Sequence, residues 1–140
     1  METTQSAGGI TGNVLFYSTP EPLNRDLHGK LGLVHQDKPY AFAAAGTAVP
    51  LTVTEFGPAG LSYPIIFAGE ERTPLAVMGL NQGENLFIHA DGSTEVGVYI
   101  PAYVRRYPFV LANDESQGRM IVCIDRASSL LSEAGETPLF

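Results

Sequence analysis

Prolines and glycines interrupt this chain every few residues from Gly8 onward, and their spacing limits the folds open to it. The 140 residues include 10 prolines and 15 glycines, the two residue types that most often end helices and strands. The segments between them are too short for a helical bundle, and several are apolar runs bounded by polar turns. We therefore expect an α+β fold dominated by short antiparallel strands and hairpins, with one to three short helices.

The length and the balance of residue types are typical of one globular domain. A chain of 140 residues falls within the usual size of a single domain, and 44% of these residues are apolar. Only 16% are charged, which argues against intrinsic disorder. We expect residues 13–140 to form one domain and residues 1–12, which are polar and contain glycine, to form a flexible N-terminal arm.

The net charge and the single cysteine indicate which partners and which cellular compartment to expect. The net charge of −7 repels phosphate groups, so nucleic acids and anionic membranes are not expected as partners. The one cysteine, Cys123, cannot form an intramolecular disulfide, which favours a reducing compartment. No basic N-terminal region precedes an apolar stretch, and no apolar run approaches the ~20 residues that span a bilayer. We expect a cytoplasmic location and no membrane insertion.

Apolar runs on either side of polar turns predict the strands. The clearest hairpin joins residues 65–68 to residues 75–78. Because both runs are continuous rather than alternating, we expect both strands in the middle of a sheet, covered on both faces. The other predictions are a strand at 14–17, hairpins pairing 31–34 with 40–44, 86–88 with 96–99, and 109–111 with 120–124, and helices at 51–62 and 128–134.

Residues 99–109 hold the densest group of side chains able to bind a ligand. Two arginines stand together there among three tyrosines, in a protein that is otherwise acidic. Guanidinium groups bind carboxylates and phosphates in a forked geometry and stack on aromatic rings. The segment therefore predicts an anion-recognition patch formed by Tyr103, Arg105, Arg106 and Tyr107.

The conformation and the role of this segment each have two alternatives. In a short helix, Tyr103 and Arg106 share a face that excludes Arg105, whereas an extended chain places Tyr103 and Arg105 on one side. The alternative to ligand binding is internal pairing, with an arginine bonded to a core acid such as Glu55 or Asp125.

A second polar cluster lies on a predicted loop at residues 20–29. It holds an amide, a guanidinium, a carboxylate and an imidazole within five residues, and convergent polar groups on a rigid loop are typical of ligand sites. We take Asn24, Arg25 and His28 as candidate ligand-binding residues. The alternative is turn chemistry, in which Asn24 and Asp26 cap backbone amides.

No sequence pattern assigns a catalytic, metal or cofactor site. The three histidines lack the spacing of a zinc motif and have no partnering cysteines. The glycine-rich segments at residues 8–12 and 79–83 are not followed by the lysine of a phosphate-binding loop. An enzyme would have to assemble its site from distant residues, with His28 as the base beside Glu55 or Glu84.

Several short motifs follow one another along the chain. They are Pro22-Leu23-Asn24-Arg25 with His28-Gly29, Val49-Pro50-Leu51 with Glu55-Phe56, Tyr63-Pro64-Ile65, Gly83-Glu84-Asn85-Leu86-Phe87, the stretch 99–109, and Cys123-Ile124-Asp125. In this order they resemble the SapC family of bacterial proteins. The stretch 99–109 is the most specific of them.

The resemblance implies a cellular context for the protein but does not imply a reaction. The family takes its name from a surface-layer gene cluster, and its members are associated with that layer without an agreed activity. Relatives are encoded near outer-membrane transporters and flavin-dependent halogenases, which implies a role in handling an imported or modified substrate. No catalytic residues carry over. Members are usually longer, so this chain resembles their front half and is expected to be the N-terminal part of a longer protein.

Three functions are therefore compatible with the sequence. We expect first a non-enzymatic binding or accessory protein of the SapC type, associated with a surface layer or with transport, that holds an anionic small molecule or a protein segment. The second is an enzyme with the dispersed His28 site, and the third is a structural module that docks a second domain. No catalytic residue, metal or cofactor is predicted, and the oligomeric state is not specified.

Overall fold

The computed structural model describes residues 14–140, so the arm predicted at residues 1–12 lies outside the described residues. Within the described part, the strands are β1 (Pro20–Pro22), β2 (Gly32–Leu33), β3 (Ala48–Pro50), β4 (Ile65–Ala68), β5 (Thr73–Val77), β6 (Phe109–Asp114), β7 (Arg119–Asp125), β8 (Leu131–Ser132) and β9 (Thr137–Pro138). The helices are α1 (Arg25–His28), α2 (Phe56–Gly60) and α3 (Ala102–Arg105), together with 3₁₀ helices at Ala41–Ala43 and Val53–Glu55.

The described residues form two compact units. The first contains residues 14–35 and 107–140, and the second contains residues 36–106. The sheets β1-β7-β6 and β8-β2-β9 belong to the first unit and the sheet β3-β5-β4 to the second, and all the pairings are antiparallel. This confirms the sheet-dominated α+β fold expected from the sequence. That residues 13–140 form a single domain stays a prediction.

The hairpin of β6 and β7 organises the first unit and confirms the pairing predicted at residues 109–111 and 120–124. Both strands extend further than predicted, from Phe109 opposite Ile124 to Asp114 opposite Arg119. One face of the hairpin packs Val110 and Cys123 against Tyr17, and these three buried side chains form a core cluster.

The strand predicted at residues 14–17 is wrong, because these residues form a turn. The N–H of Tyr17 donates to the carbonyl of Val14 at 3.0 Å, and Phe16 has a positive φ of 77°. A positive φ is uncommon outside glycine and cannot continue a strand. The strand forms later, at β1, where two of the three residues are prolines that suit the edge of a sheet.

The hairpin predicted between residues 31–34 and 40–44 is also wrong. Strand β2 pairs instead with β8 and β9, and residues 41–43 form a 3₁₀ helix. The pairing requires a glycine in β2, because a Cβ at Gly32 would lie 2.6 Å from the carbonyl oxygen of Gly135. The partners of this segment are therefore distant in the sequence.

The helix predicted at residues 128–134 is wrong for a related reason. Strand β8 occupies this segment, and the hydroxyls of Ser128 and Ser132 accept hydrogen bonds from the N–H groups two residues further on, both at 3.1 Å. Such local bonds offer the backbone an alternative to a helix. Pairing with β2 then fixes the extended conformation.

The hairpin of β4 and β5 confirms the clearest strand prediction and begins with Ile65 opposite Ala76. The expectation that both strands lie in the middle of a sheet holds only for β5, because β4 is an edge strand. The side chains of Ile66 and Phe67 in β4 are 46% and 62% exposed. The continuous apolar run therefore does not mark a strand covered on both faces.

The remaining predictions in the second unit have mixed outcomes. The helix at residues 51–62 is confirmed as two short pieces, the 3₁₀ helix Val53–Glu55 followed by α2. The strands at residues 86–88 and 96–99 are wrong, because this region contributes only an isolated bridge between Ile88 and Thr94. None of the helices within residues 14–140 has the length and apolar character that a bilayer crossing requires.

Candidate functional site

The arginine–tyrosine segment adopts the helical alternative. Helix α3 begins after Pro101, which fixes a backbone φ of −55°, and ends with Arg106 as its C-terminal cap. The N–H of Arg106 donates to the carbonyl of Ala102 at 2.9 Å, which closes the last turn. Both arginine side chains are exposed, and Tyr103 is half-buried.

Glu55 anchors the start of α3 from the core of the second unit, where it is 6% exposed. Its Oε1 accepts hydrogen bonds from the Tyr99 hydroxyl at 2.8 Å and from the N–H of Ala102 at 2.7 Å. Its Oε2 accepts bonds from the N–H and the hydroxyl of Thr52 at 2.8 and 2.9 Å. This carboxylate is therefore satisfied by neutral donors.

These hydrogen bonds also set the ionisation of Glu55. Burial raises the pKa of the carboxyl group, but hydrogen bonds from Thr52, Ala102 and Tyr99 outweigh burial and lower the pKa below its ordinary value of 4.5. Each of these donors favours the charged form, because a carboxylate accepts hydrogen bonds more strongly than a carboxylic acid. Glu55 is ionised at neutral pH and has a structural role.

Arg105 is held in place without a carboxylate partner among residues 14–140. Its Nε donates to the carbonyl of Ile100 at 2.9 Å, and its Nη2 donates to the Tyr99 hydroxyl at 3.2 Å. The guanidinium carbon lies 5.7 Å from the centroid of the Tyr99 ring. These bonds use two of the five N–H donors of a guanidinium, so three remain for an outside acceptor.

Arg106 stacks on the next tyrosine. Its guanidinium carbon lies 4.0 Å from the centroid of the Tyr103 ring, which is within the range of a cation–π contact. Stacking of a planar guanidinium on an aromatic ring combines a cation–π contact with close packing of the two flat groups. Arg105 and Arg106 are thus consecutive cations, each fixed on an aromatic ring of the same unit.

The two acids proposed as internal partners of the arginines have other roles. Glu55 holds α3 as described, and Asp125 is fully buried in the first unit. The oxygens of Asp125 accept hydrogen bonds from the N–H groups of Ser18, Thr19 and Ala127 at 2.9, 2.9 and 3.2 Å, and from the Tyr107 hydroxyl at 3.1 Å. Neither acid is paired with an arginine.

Tyr107 belongs to the first unit, whereas Tyr103, Arg105 and Arg106 belong to the second. The Tyr107 ring packs edge-on against Tyr17 with 5.2 Å between the ring centroids. Burial raises the pKa of its hydroxyl, which donates to Asp125. These contacts give Tyr107 a role in the core.

The second predicted cluster is organised around α1. The side-chain oxygen of Asn24 caps this helix by accepting the N–H groups of Asp26 and Leu27 at 2.7 and 3.4 Å. Arg25 is exposed, and its guanidinium carbon lies 5.8 Å from the centroid of the Phe140 ring. The capping bonds agree with the turn-chemistry alternative for Asn24.

His28 is fully buried, and both of its ring nitrogens are bonded. Nδ1 lies 3.0 Å from both the N–H and the carbonyl oxygen of Asn24, and Nε2 lies 2.7 Å from the carboxylate of Glu21. The acid beside His28 is therefore Glu21 rather than Glu55 or Glu84. Glu84 instead accepts the backbone N–H groups of residues 80 and 81 in its own loop. With no free ring nitrogen, His28 has no position from which to take a proton from a substrate.

The first unit also has an open groove of about 530 Å³ beside β7. Its walls include Leu23, Val122 and Phe140, with Asp114 and Arg119 towards one end. Sequence reasoning did not find this groove, because its walls come from three separate segments. No group of three side chains within residues 14–140 has the composition and spacing of a metal site.

Comparison with known proteins places the chain in a family without adding an activity. The model of the family described as SapC matches residues 23–140. No curated protein and no solved structure matches this chain.

Proposed function

The chain belongs to the SapC family, and we propose that it is a non-enzymatic binding module that holds an anionic group on Arg105 and Arg106. The observation that carries the proposal is the state of these two side chains. Both are exposed cations seated on tyrosine rings, and the buried acid nearest the start of their helix, Glu55, is satisfied by neutral donors.

The contacts that hold the two arginine side chains support binding, because they reduce the rotamer entropy that is lost when an anion binds. A free arginine side chain loses up to about 2 kcal/mol of rotamer entropy when it is fixed. Arg105 has already lost much of this freedom to its bonds with Ile100 and Tyr99, and Arg106 to its stacking on Tyr103. Less free energy is then spent when an anion binds.

The chemistry of the patch favours a carboxylate or a phosphate carried by a small molecule or a protein segment. Guanidinium groups present paired N–H donors that match the oxygens of both groups. A nucleic acid is disfavoured, because the protein carries a net charge of −7 that repels a polyanion. A compact anion with one or two charged groups would bind the remaining donors of Arg105 without facing the rest of this surface.

The enzyme hypothesis has weaker support, because the base that it requires is bonded at both ring nitrogens. We further propose a cytoplasmic location, supported by a single cysteine that is buried and free. An association with a surface layer or with transport remains an expectation from the family.

The test is a titration of inorganic phosphate, citrate and a short peptide with a free C-terminal carboxylate, followed by two-dimensional amide NMR. The variant is Arg105→Ala/Arg106→Ala, and the matched control is Lys30→Ala/Arg126→Ala, which removes two exposed cations of the first unit. We expect at least one probe to shift the amides of residues 99–106 in wild type and in the control. The double-arginine variant should bind it at least tenfold more weakly.

Equal affinity of wild type and the double-arginine variant, with both folded by circular dichroism, would refute the proposal. Equal losses in the variant and the control would also refute it, because they would show an effect of net charge alone. Wild type that binds none of the probes would favour the structural module that docks a second domain.

A further inference from the structure

The outer edge of β6 carries backbone groups that no other residue within 14–140 bonds to. The N–H of Asp125 donates to the carbonyl of Pro108 at 2.8 Å, which sets the alternation of the β6–β7 ladder. Val110, Ala112 and Asp114 therefore exchange hydrogen bonds with β7, and the residues between them direct their N–H and C=O groups away from it. Leu111 and Asn113 consequently offer two donors and two acceptors along the free edge.

Contacts around the edge agree with this assignment. The carbonyl of Phe109, which by the same alternation points outward, accepts the Tyr17 hydroxyl at 2.5 Å. No residue within 14–140 bonds to the outward groups of Leu111 or Asn113. The Leu111 side chain is 60% exposed.

The edge also lacks the features that usually prevent strand pairing. Charged side chains, prolines and bulges protect most exposed edges. Strand β1, at the opposite edge of the same sheet, has prolines at positions 20 and 22, whereas residues 109–113 of β6 contain neither a proline nor a charge. Strand β4 of the second unit is a shorter unprotected edge of four residues.

We propose that two copies of this chain pair antiparallel along β6. A two-fold axis through Ala112 places Leu111 of each copy opposite Asn113 of the other. Both residues direct their backbone groups outward, so this register forms four hydrogen bonds with no donor or acceptor left over. A register centred on Leu111 would instead require the carbonyl of Phe109 to accept a hydrogen bond from the second copy. That carbonyl already accepts the Tyr17 hydroxyl.

Charge permits this pairing even though each copy carries a net charge of −7. The paired residues are uncharged, and Asp114 lies opposite Val110 of the second copy. The two Asp114 carboxylates are then four strand residues apart, about 13 Å, which exceeds the ~8 Å screening length at physiological salt. Each of them also has a cation, Arg119, as its cross-strand neighbour in its own copy.

The area sets the strength of the dimer. A stable interface buries about 800 Å² on each partner. One pair of short edge strands buries less than this. The dimer is therefore a weak one, which forms as the protein concentration rises.

Sedimentation equilibrium between 10 µM and 1 mM tests the proposal, with concentrations chosen to bracket a weak association. We expect a monomer–dimer equilibrium in wild type and a dissociation constant at least tenfold higher in Leu111→Lys, which places a charge on an exposed edge position. The matched control is Phe67→Lys on β4, which is similarly exposed and should leave the equilibrium unchanged.

Cross-linking tests the register. In the proposed pairing the two copies of residue 112 form a pair without hydrogen bonds, whose Cα atoms lie about 4.5 Å apart, within the range of a disulfide. Oxidised Ala112→Cys should therefore yield a covalent dimer faster than Leu80→Cys, an exposed control in the second unit. The native Cys123 is fully buried and provides a background rate.

Three results would overturn the proposal. One is a wild type that stays monomeric up to 1 mM, and another is a dimer that Phe67→Lys abolishes and Leu111→Lys does not. The third is cross-linking of Ala112→Cys no faster than that of Leu80→Cys. Circular dichroism of each variant ensures that a monomeric result is not an unfolded one.

Discussion

Replacing Glu55 with alanine removes the acceptor that holds the start of α3. Two part-buried donors, the Tyr99 hydroxyl and the N–H of Ala102, lose their partner, as do the two groups of Thr52. A hydrogen bond to a charged acceptor contributes about 1.5–3 kcal/mol, and Thr52 is exposed enough to bond to water instead. We expect Glu55→Ala to lower the free energy of unfolding by about 3–5 kcal/mol.

Glu55→Gln gives a graded version of the same test. The amide keeps one carbonyl oxygen, which can serve either the Tyr99 and Ala102 pair or Thr52 but not both. The expected loss is therefore about half of that in Glu55→Ala, or about 1.5–2.5 kcal/mol. Urea denaturation at pH 7 measures both variants, and Glu71→Ala, an exposed position in a turn, should change stability by less than about 0.5 kcal/mol.

The pH dependence supplies a second check with a fixed sign. The pKa of Glu55 is lower in the folded protein than its ordinary value of 4.5, so its contribution to stability is complete above that value. The contribution is lost as the pH falls through the folded pKa, where the carboxylate becomes protonated. The gap in stability between wild type and Glu55→Gln should therefore be constant above pH 4.5 and narrow below it.

Two results would refute this reasoning. A loss in Glu55→Ala of less than about 1 kcal/mol would show that the four contacts do not hold α3. A gap between wild type and Glu55→Gln that widens towards acid pH would reverse the sign of the linkage.

The same variants also bear on ligand binding, because the Tyr99 hydroxyl that Glu55 orients accepts a bond from Arg105. Glu55→Gln should weaken anion binding less than Arg105→Ala/Arg106→Ala does.

Two further predictions concern the interior. Gly32→Ala should destabilise the protein by about 1–3 kcal/mol, because its Cβ would meet the Gly135 backbone. Gly60→Ala is the matched control, because its Cβ would meet only the end of the Ile65 side chain at 3.9 Å, and it should be neutral or stabilise α2 by up to about 1 kcal/mol. Equal losses in urea denaturation would contradict this. Burial raises the pKa of the Cys123 thiol, so Ellman's reagent should modify it only in denaturant, and rapid reaction of the native protein would show that the β6–β7 core opens readily.

The local parts of the fold were readable from the sequence because their causes are local. The hairpins at β4–β5 and β6–β7 combine apolar runs with polar turns between neighbouring segments. The paired arginines stand among tyrosines that are adjacent in the chain, so the candidate anion segment was located from the sequence, whereas its choice between a helix and an extended chain was not.

Long-range pairing decided the parts that the sequence did not reveal. Strand β2 pairs with residues 131–132 and 137–138, about a hundred positions further along the chain. This pairing replaces the hairpin predicted for residues 31–34 and the helix predicted at residues 128–134. No periodicity within a short window records a partner at that distance.

The sequence by itself determined the fold class, the family and the position of the arginines. Only the tertiary structure determined that the Glu55 carboxylate accepts hydrogen bonds from Tyr99 and Ala102, which lie 44 and 47 residues away. It also determined that His28 is bonded to Glu21. The physical reason is that a buried carboxylate must find hydrogen-bond donors, and which donors reach it depends on how distant segments pack. Because Glu55 bonds to these donors, it is not the partner of Arg105 or Arg106, and the anion site is a testable proposal.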